Sequence, residues 1–208
     1  MAHGPEGHVL HWARLYDLGT ALTGRRLRPI QRRLLERAAI VPGESVLDVG
    51  CGPGRLTLEA ARVAGPSARI VGIDPSPEMI ALAKRKSEQQ HSTATFEVAP
   101  MQAIPAADGS FDVALACLVL HHVPPELLGR GLAEVRRVLK PDGRFVAVDF
   151  GASAKHGLAH YLAVLGRRRG FANADHLRSL LEAAGFEGAR AERVPPAHCL
   201  LWGRKPRG

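Results

Sequence analysis

Two carboxylates and a pair of imidazoles stand where their types and spacing could do chemistry. Asp48 lies in Val46-Leu47-Asp48-Val49-Gly50-Cys51-Gly52-Pro53-Gly54, where an apolar run meets three glycines at alternate positions. Glycine lets a backbone turn sharply and lets a ligand come close where a Cβ would collide. A carboxylate just ahead of such a turn repels a phosphate and attracts a cation. Asp74 closes a second apolar run, Val71-Gly72-Ile73-Asp74, 20 positions after Gly54. At that separation a strand-end acid meets the two hydroxyls of a ribose. A helix N-cap is the competing role for Asp74, but Ser76 can cap instead, with Pro77 at the first helical position. His121 and His122 follow a third apolar run, and histidine can take a proton near neutral pH.

The acids narrow the ligand. A dinucleotide site uses G-x-G-x-x-G to hold a pyrophosphate on backbone amides. Here the third glycine arrives one residue early, and Arg55 stands where that pattern wants glycine. A nucleoside without phosphate but with a cationic tail fits better. S-adenosylmethionine is such a molecule: Asp48 can hold its ammonium, the turn amides its carboxylate and Asp74 its ribose. Met79, one turn into the next helix, would cover an adenine face or pack in the core. Methyl transfer asks the protein chiefly to align partners and exclude water. A base is needed only where the acceptor sheds a proton, and His121 and His122 are the catalytic candidates, with shaping of the site floor as their alternative role.

These residues need a scaffold of alternating strands and helices. Strands are expected at Ser45–Val49, Arg69–Ile73, Thr93–Val98, Phe111–Leu118 and Arg144–Asp149. Helices are expected at Leu56–Val63, Pro77–Glu88 and near Glu126–Leu139, with a turn at Pro141-Asp142-Gly143 leading into the fifth strand. Such alternation implies α/β architecture with a parallel sheet, because parallel neighbours need crossovers. Ahead of it, apolar positions from Val9 to Leu22 and from Leu27 to Ile40 recur at helical spacing, up to the Pro42-Gly43 break. Beyond Phe150 helices are expected near Leu158–Leu165 and at Ala174–Ala184, the latter closed by Gly185. A β-hairpin then forms from Ala189–Val194 and His198–Trp202 around Pro195-Pro196. One domain results, with a helical cap over 1–40, a cofactor-binding core over 41–150 and substrate-side helices and hairpin over 151–208.

With those motifs in hand, the chain resembles the class I S-adenosylmethionine-dependent methyltransferases, in particular the small-molecule branch that includes the ubiquinone/menaquinone C-methyltransferases. VLDVGCGPGRLT (46–57), GIDPSPEMI (72–80), FDVALACLVLHHV (111–123), RVLKPDGRF (137–145), LLEAAGF (180–186) and the terminal LLWGRKP carry the likeness. It implies a Rossmann-like, seven-stranded, mostly parallel sheet in the order 3-2-1-4-5-7-6, strand 7 antiparallel, with helices on both faces. It also implies a cofactor site built from Asp48, Gly50, Cys51, Gly52, Gly54, Asp74, Pro75, Met79, Met101, Gln102 and Cys117. Tyr16 and Tyr161 fall in the regions that cover the acceptor in that family. The sequence departs from the family after strand 3, where Pro100 takes the place of an acid that holds the adenine amino group. The backbone N–H of Met101 and the carbonyl of Gln102 are the remaining adenine partners, and a non-catalytic relative is the reading this departure invites.

Two further rivals lose ground on particular residues. A short-chain dehydrogenase needs Tyr-x-x-x-Lys, and Tyr161 is followed by Leu165 at that offset. Amino-directed nucleic-acid methyltransferases carry Asn/Asp-Pro-Pro-aromatic after strand 4, where this chain reads Leu120-His121-His122-Val123. The net charge of +8 keeps nucleic acid as a secondary partner, behind a small-molecule acceptor that is aromatic or lipophilic. Trp12 and Leu15 in the N-terminal stretch add peripheral contact with a membrane surface. Three dispersed cysteines show no metal-ligand spacing and fit a reducing compartment, with Cys117 and Cys199 expected as buried packing. With no signal-peptide organisation either, the expectation is a cytoplasmic protein.

Overall fold

The computed structural model describes residues 27–150, 174–195 and 198–208. Helix α1 is described over residues 27–38. There follow β1 (Val46–Val49), α2 (Arg55–Ala64), β2 (Ile70–Asp74), α3 (Pro77–Gln89), β3 (Thr95–Val98) and β4 (Phe111–Cys117). A single 3₁₀ turn (Leu120–His122) leads to α4 (Pro125–Val138), β5 (Leu139–Phe150), α5 (Ala174–Ala183), β6 (Glu187–Val194) and β7 (His198–Arg204).

Seven strands make one sheet in the order β3-β2-β1-β4-β5-β7-β6. The five strands from β3 to β5 run parallel, and β7 is antiparallel to both of its neighbours. This is the Rossmann-like order that the family likeness implied. Side chains alternate across the strands. Val46, Val113, Leu115, Val146 and Val148 therefore face one core beneath α1, α2 and α3. Leu47, Val49, Ala114, Ala116 and Ala147 face the other, beneath α4 and α5. Both faces are covered, which is why the central strands read as unbroken apolar runs.

Most element boundaries fall within two residues of the sequence expectation. Ser76 caps α3 by accepting from the Met79 N–H at 3.3 Å, with Pro77 in the first turn, as its residue types indicated. Gly185 ends α5 at φ +82°, and its N–H donates to the Glu182 carbonyl while Phe186 N–H donates to Leu181. This is a glycine-closed helix end of the anticipated kind.

One element needs correction. Pro141-Asp142-Gly143 is not a turn ahead of a strand starting at Arg144: β5 already begins at Leu139, and the three residues form an irregularity inside it. Phe111 pairs with Leu139 but Val113 with Arg144, so the extra residues bulge out of the ladder. Asp142 takes φ +62° there, and Lys205 stitches the bulge by donating to Gly143 and accepting from Asp142.

Arg144, just past this bulge, fastens α1 to the sheet. Its guanidinium donates to the Ala38 carbonyl, to the Ala39 carbonyl at 2.9 Å, and to both Glu44 oxygens at 2.8 and 2.7 Å. The cation thus satisfies carbonyls at the end of α1 that have no helical partner. Nearer the start of the helix Gln31 lies beside the Cys117 side chain, so α1 runs from the carboxyl edge of β4 back toward Arg144. Among the described residues, no helix is long and apolar enough to cross a membrane.

Candidate cofactor and acceptor site

The glycine turn leaves β1 at the carboxyl edge of the sheet. Gly50, Gly52 and Gly54 all take positive φ, at +66°, +52° and +80°, conformations a side chain resists. Gly50 is also a close approach: a Cβ there would stand 2.3 Å from Val119 Cγ2. Val119 reaches that position because Leu118 turns the end of β4 through φ +58°, a strained conformation for leucine. The glycine turn and the turn carrying His121 and His122 are therefore in direct contact. Gly54 makes room differently, since a Cβ would lie 2.9 Å from the Phe96 ring and from Ala83.

Asp48 lies beneath the turn and is 1% exposed. Thr57 Oγ1, on the first coil of α2, donates to its Oδ2 at 2.6 Å. Burial pushes the Asp48 carboxyl up to about 7; the Thr57 hydrogen bond opposes this and the negative charge of Asp74 adds to it. A buried acid in that condition gains from a cation nearby. Thr57 was not among the residues singled out from sequence. Its signal was present, because position 57 falls on the inward face of the helix that follows the glycine turn.

Asp74, at the end of β2, ties the turn together. Gly52 N–H donates to its Oδ2 at 3.0 Å and Ser76 N–H to its Oδ1 at 2.9 Å. Burial raises its pKa while these two backbone donors lower it. Each oxygen retains a second lone pair for a hydroxyl donor. The amides expected to meet a ligand carboxylate are largely engaged within the protein: Cys51 N–H donates to Ile73 and Gly54 N–H to Cys51, besides Gly52 to Asp74. The turn is thus held in shape by its own amides.

The remaining expected cofactor residues separate by exposure. Pro75 is exposed and Gln102 half-buried, both beside the carboxyl edge. Met79, Met101 and Cys51 are 3%, 5% and 8% exposed, so their side chains are largely packed into the protein. Met101 packs against Gly131 of α4, where a Cβ would come within 2.9 Å of its sulfur. Cys117 is half-buried rather than fully buried, whereas Cys51, not singled out for packing, is buried along with Cys199. Burial drives the Cys51 and Cys117 thiols well up, so neither is a ready thiolate. Tyr16 and Tyr161, the N-terminal stretch from Val9 to Leu22 and the helix expected near Leu158–Leu165 lie outside the described residues.

On the turn after β4, His121 is half-buried and His122 exposed. Their ring centroids are 3.9 Å apart. Phe150 presents an edge to His121 at 4.9 Å and stacks on His198 of β7 at 5.5 Å. Behind His121 stands Asp149, a residue sequence reading passed over. It is the last residue but one of β5, inside an apolar run, and no spacing connects it to His121, 28 positions away.

Comparison with known proteins agrees with this geometry. Residues 46–143 match a family described as a methyltransferase domain. The chain is 34% identical over 162 residues to an uncharacterized methyltransferase of Synechocystis, covering 75% of this chain and 73% of that protein.

The chain belongs to the class I S-adenosylmethionine-dependent methyltransferases.

Within that family it is 44% identical over 138 residues to a ubiquinone/menaquinone biosynthesis C-methyltransferase of Citrifermentans bemidjiense, covering 65% of this chain and 58% of the relative. Against five of the curated relatives it matches, the chain spans from 30% to 58% of their length. A solved S-adenosylmethionine-dependent methyltransferase from Aquifex aeolicus shares the fold, with a TM-score of 0.65 and 22% identity over 84% of this chain and 89% of that one.

The residues present fit the family's cofactor. No atom lies within 4 Å of where a Gly52 Cβ would stand, which leaves an open face on the turn for a ligand. Below that turn is the buried acid, and beside it a strand-end carboxylate that faces the glycines. Among the described residues no His, Cys, Asp and Glu cluster could hold a metal ion.

Proposed function

We propose that this methyltransferase carries a methyl group from S-adenosylmethionine to a small aromatic, lipophilic acceptor. The observation that carries the reading is the pairing of a buried acid beneath the glycine turn with Asp74 across it. Asp48 supplies negative potential to the ammonium of the donor's amino-acid tail. Asp74 accepts from ribose hydroxyls with the lone pairs left by Gly52 and Ser76. Gln102 and the Met101 backbone line the side where adenine would lie, in place of the acid that Pro100 displaces. When bound, the cofactor supplies an activated methyl group on a cationic sulfur. The chain's own work is to orient the partners and keep water out.

The acceptor class rests on the wall beyond the turn. His121, His122, Phe150 and His198 form a run of rings at the carboxyl edge, where open α/β sheets receive ligands. Planar rings in edge and stacked arrangement favour a flat aromatic partner. The names of the similar quinone-biosynthesis enzymes point the same way. The test uses cofactor-depleted protein, first titrated with S-adenosylmethionine in a calorimeter and then offered radiolabelled donor with quinols, phenols, thiols and amines. Donor binding with label transferred to a quinol or phenol is the expected result. Binding without transfer to any aromatic acceptor would refute the acceptor class.

A further inference from the structure

Asp149 is 2% exposed and accepts three hydrogen bonds, two from His121 and one from its neighbour Phe150. His121 Nδ1 lies 2.7 Å from its Oδ1, the His121 backbone N–H donates to its Oδ2 at 3.2 Å, and the Phe150 N–H donates to Oδ1 at 2.7 Å. A buried carboxylate is costly unless its oxygens are filled, and here the same histidine fills both. The backbone contact fixes where residue 121 sits. The ring contact fixes which imidazole nitrogen carries the proton, because a carboxylate can only accept.

We propose that Asp149 is a positioning residue that holds His121 in the Nδ1–H tautomer, so that Nε2 takes the proton shed by the acceptor. The proposal rests on the methyl-transfer reading above and assigns the proton path within it. The acceptor's lone pair forms the bond to the methyl carbon, leaving the former carbon–sulfur pair on sulfur. The acceptor's proton passes to Nε2, and the positive charge lost from sulfur reappears on the imidazolium, whose Nδ1–H already faces Asp149. Location supports this role. The turn bearing His121 touches the cofactor turn through Val119 and Gly50. Its ring is further confined by Phe150 and His122. A neutral asparagine offers one oxygen for three donors, and so cannot keep the arrangement.

Three readouts on the full chain test this. In long-range proton–nitrogen NMR spectra at pH 8, with His121 assigned through His121→Gln, the wild type should show Nδ1 protonated, and Asp149→Asn should move the ring toward Nε2–H. With 2-methyl-1,4-naphthoquinol as acceptor probe, Asp149→Asn and His121→Gln should each lower kcat about 100-fold or more. Donor Kd should stay within about twofold in both variants, acceptor KM should stay within about twofold in Asp149→Asn, which keeps the His121 ring in the acceptor wall, and the double variant should lose no more kcat than His121→Gln alone. Should Asp149→Asn not fold, Asp149→Ser replaces it. A wild-type ring already protonated on Nε2, a tautomer unchanged by the substitution, or a loss confined to KM would overturn the proposal. Failure of the wild type to bind donor in the calorimeter refutes the methyl-transfer reading instead, and the tautomer measurement does not depend on it.

Discussion

Asp48→Asn should make the unliganded protein more stable while impairing its binding of the methyl donor. Asp48 is 1% exposed and its carboxyl is pushed from 3.8 to about 7, chiefly by burial. That displacement sets about 4 kcal/mol against the ionised form in the folded chain. Because the folded-state value lies above the unfolded one, the stabilising proton is fully present below pH 3.8 and its contribution is lost as pH rises through 7. Asparagine mimics the protonated acid, and its carbonyl can still accept from Thr57. The variant should therefore exceed the wild type by about 4 kcal/mol at pH 8 and about 2 kcal/mol at pH 5. For a chain of this size the first figure corresponds to a rise of about 10 °C in Tm. Donor binding should move the other way. A unit charge roughly 6 Å from an ammonium, at an effective dielectric of ~20, contributes about 3 kcal/mol, or about 100-fold in affinity. Thermal unfolding at the two pH values, paired with calorimetric titration, reads both effects. Equal stability of variant and wild type at pH 8, together with unchanged affinity, would refute the reasoning.

Three other perturbations have defined outcomes. Since the donor's ammonium favours ionised Asp48, its affinity for the wild type should weaken about tenfold per pH unit from about 7 to about 5 and level off below, about 100-fold in all, with proton release visible as buffer-dependent calorimetric heat. Gly50→Ala should cost about 3 kcal/mol, combining overlap with Val119 and the left-handed φ, and Val119→Ala should recover the overlap but not the backbone part in urea unfolding. Arg144→Ala removes the clamp between β5, Glu44 and the end of α1, and should lower stability by roughly 3 kcal/mol and expose α1 to early proteolysis; an unchanged proteolytic pattern would contradict that role.

The strands and the glycine turn were legible because each rests on local signals: apolar runs of strand length, turn residues at fixed offsets, and acids at strand ends; the order of the strands in the sheet came from the family likeness alone. Ser76 and Pro77 announced their helix start by type alone. The bulge in β5 was not legible, because Pro-Asp-Gly specifies a reversal, and only the ladder with β4 shows the strand absorbing it. Asp149 escaped for a related reason. An acid closing an apolar strand has no sequence mark of the histidine it meets from a neighbouring strand end. Arg144 looked like one more surface arginine in a basic chain, and its partners lie about 100 positions away. Asp48 was recognised by its place before the turn, but its burial and its Thr57 partner needed the packed helix.

The most direct measurement is a calorimetric titration of the cofactor-depleted chain with S-adenosylmethionine, repeated on Asp74→Ala and with a nicotinamide dinucleotide as competitor. One-to-one binding by the wild type, at least tenfold weaker in Asp74→Ala and indifferent to the dinucleotide, is the expected result. No heat from S-adenosylmethionine, or its displacement by the dinucleotide, would contradict the assignment of the glycine turn and its two acids to a cationic nucleoside.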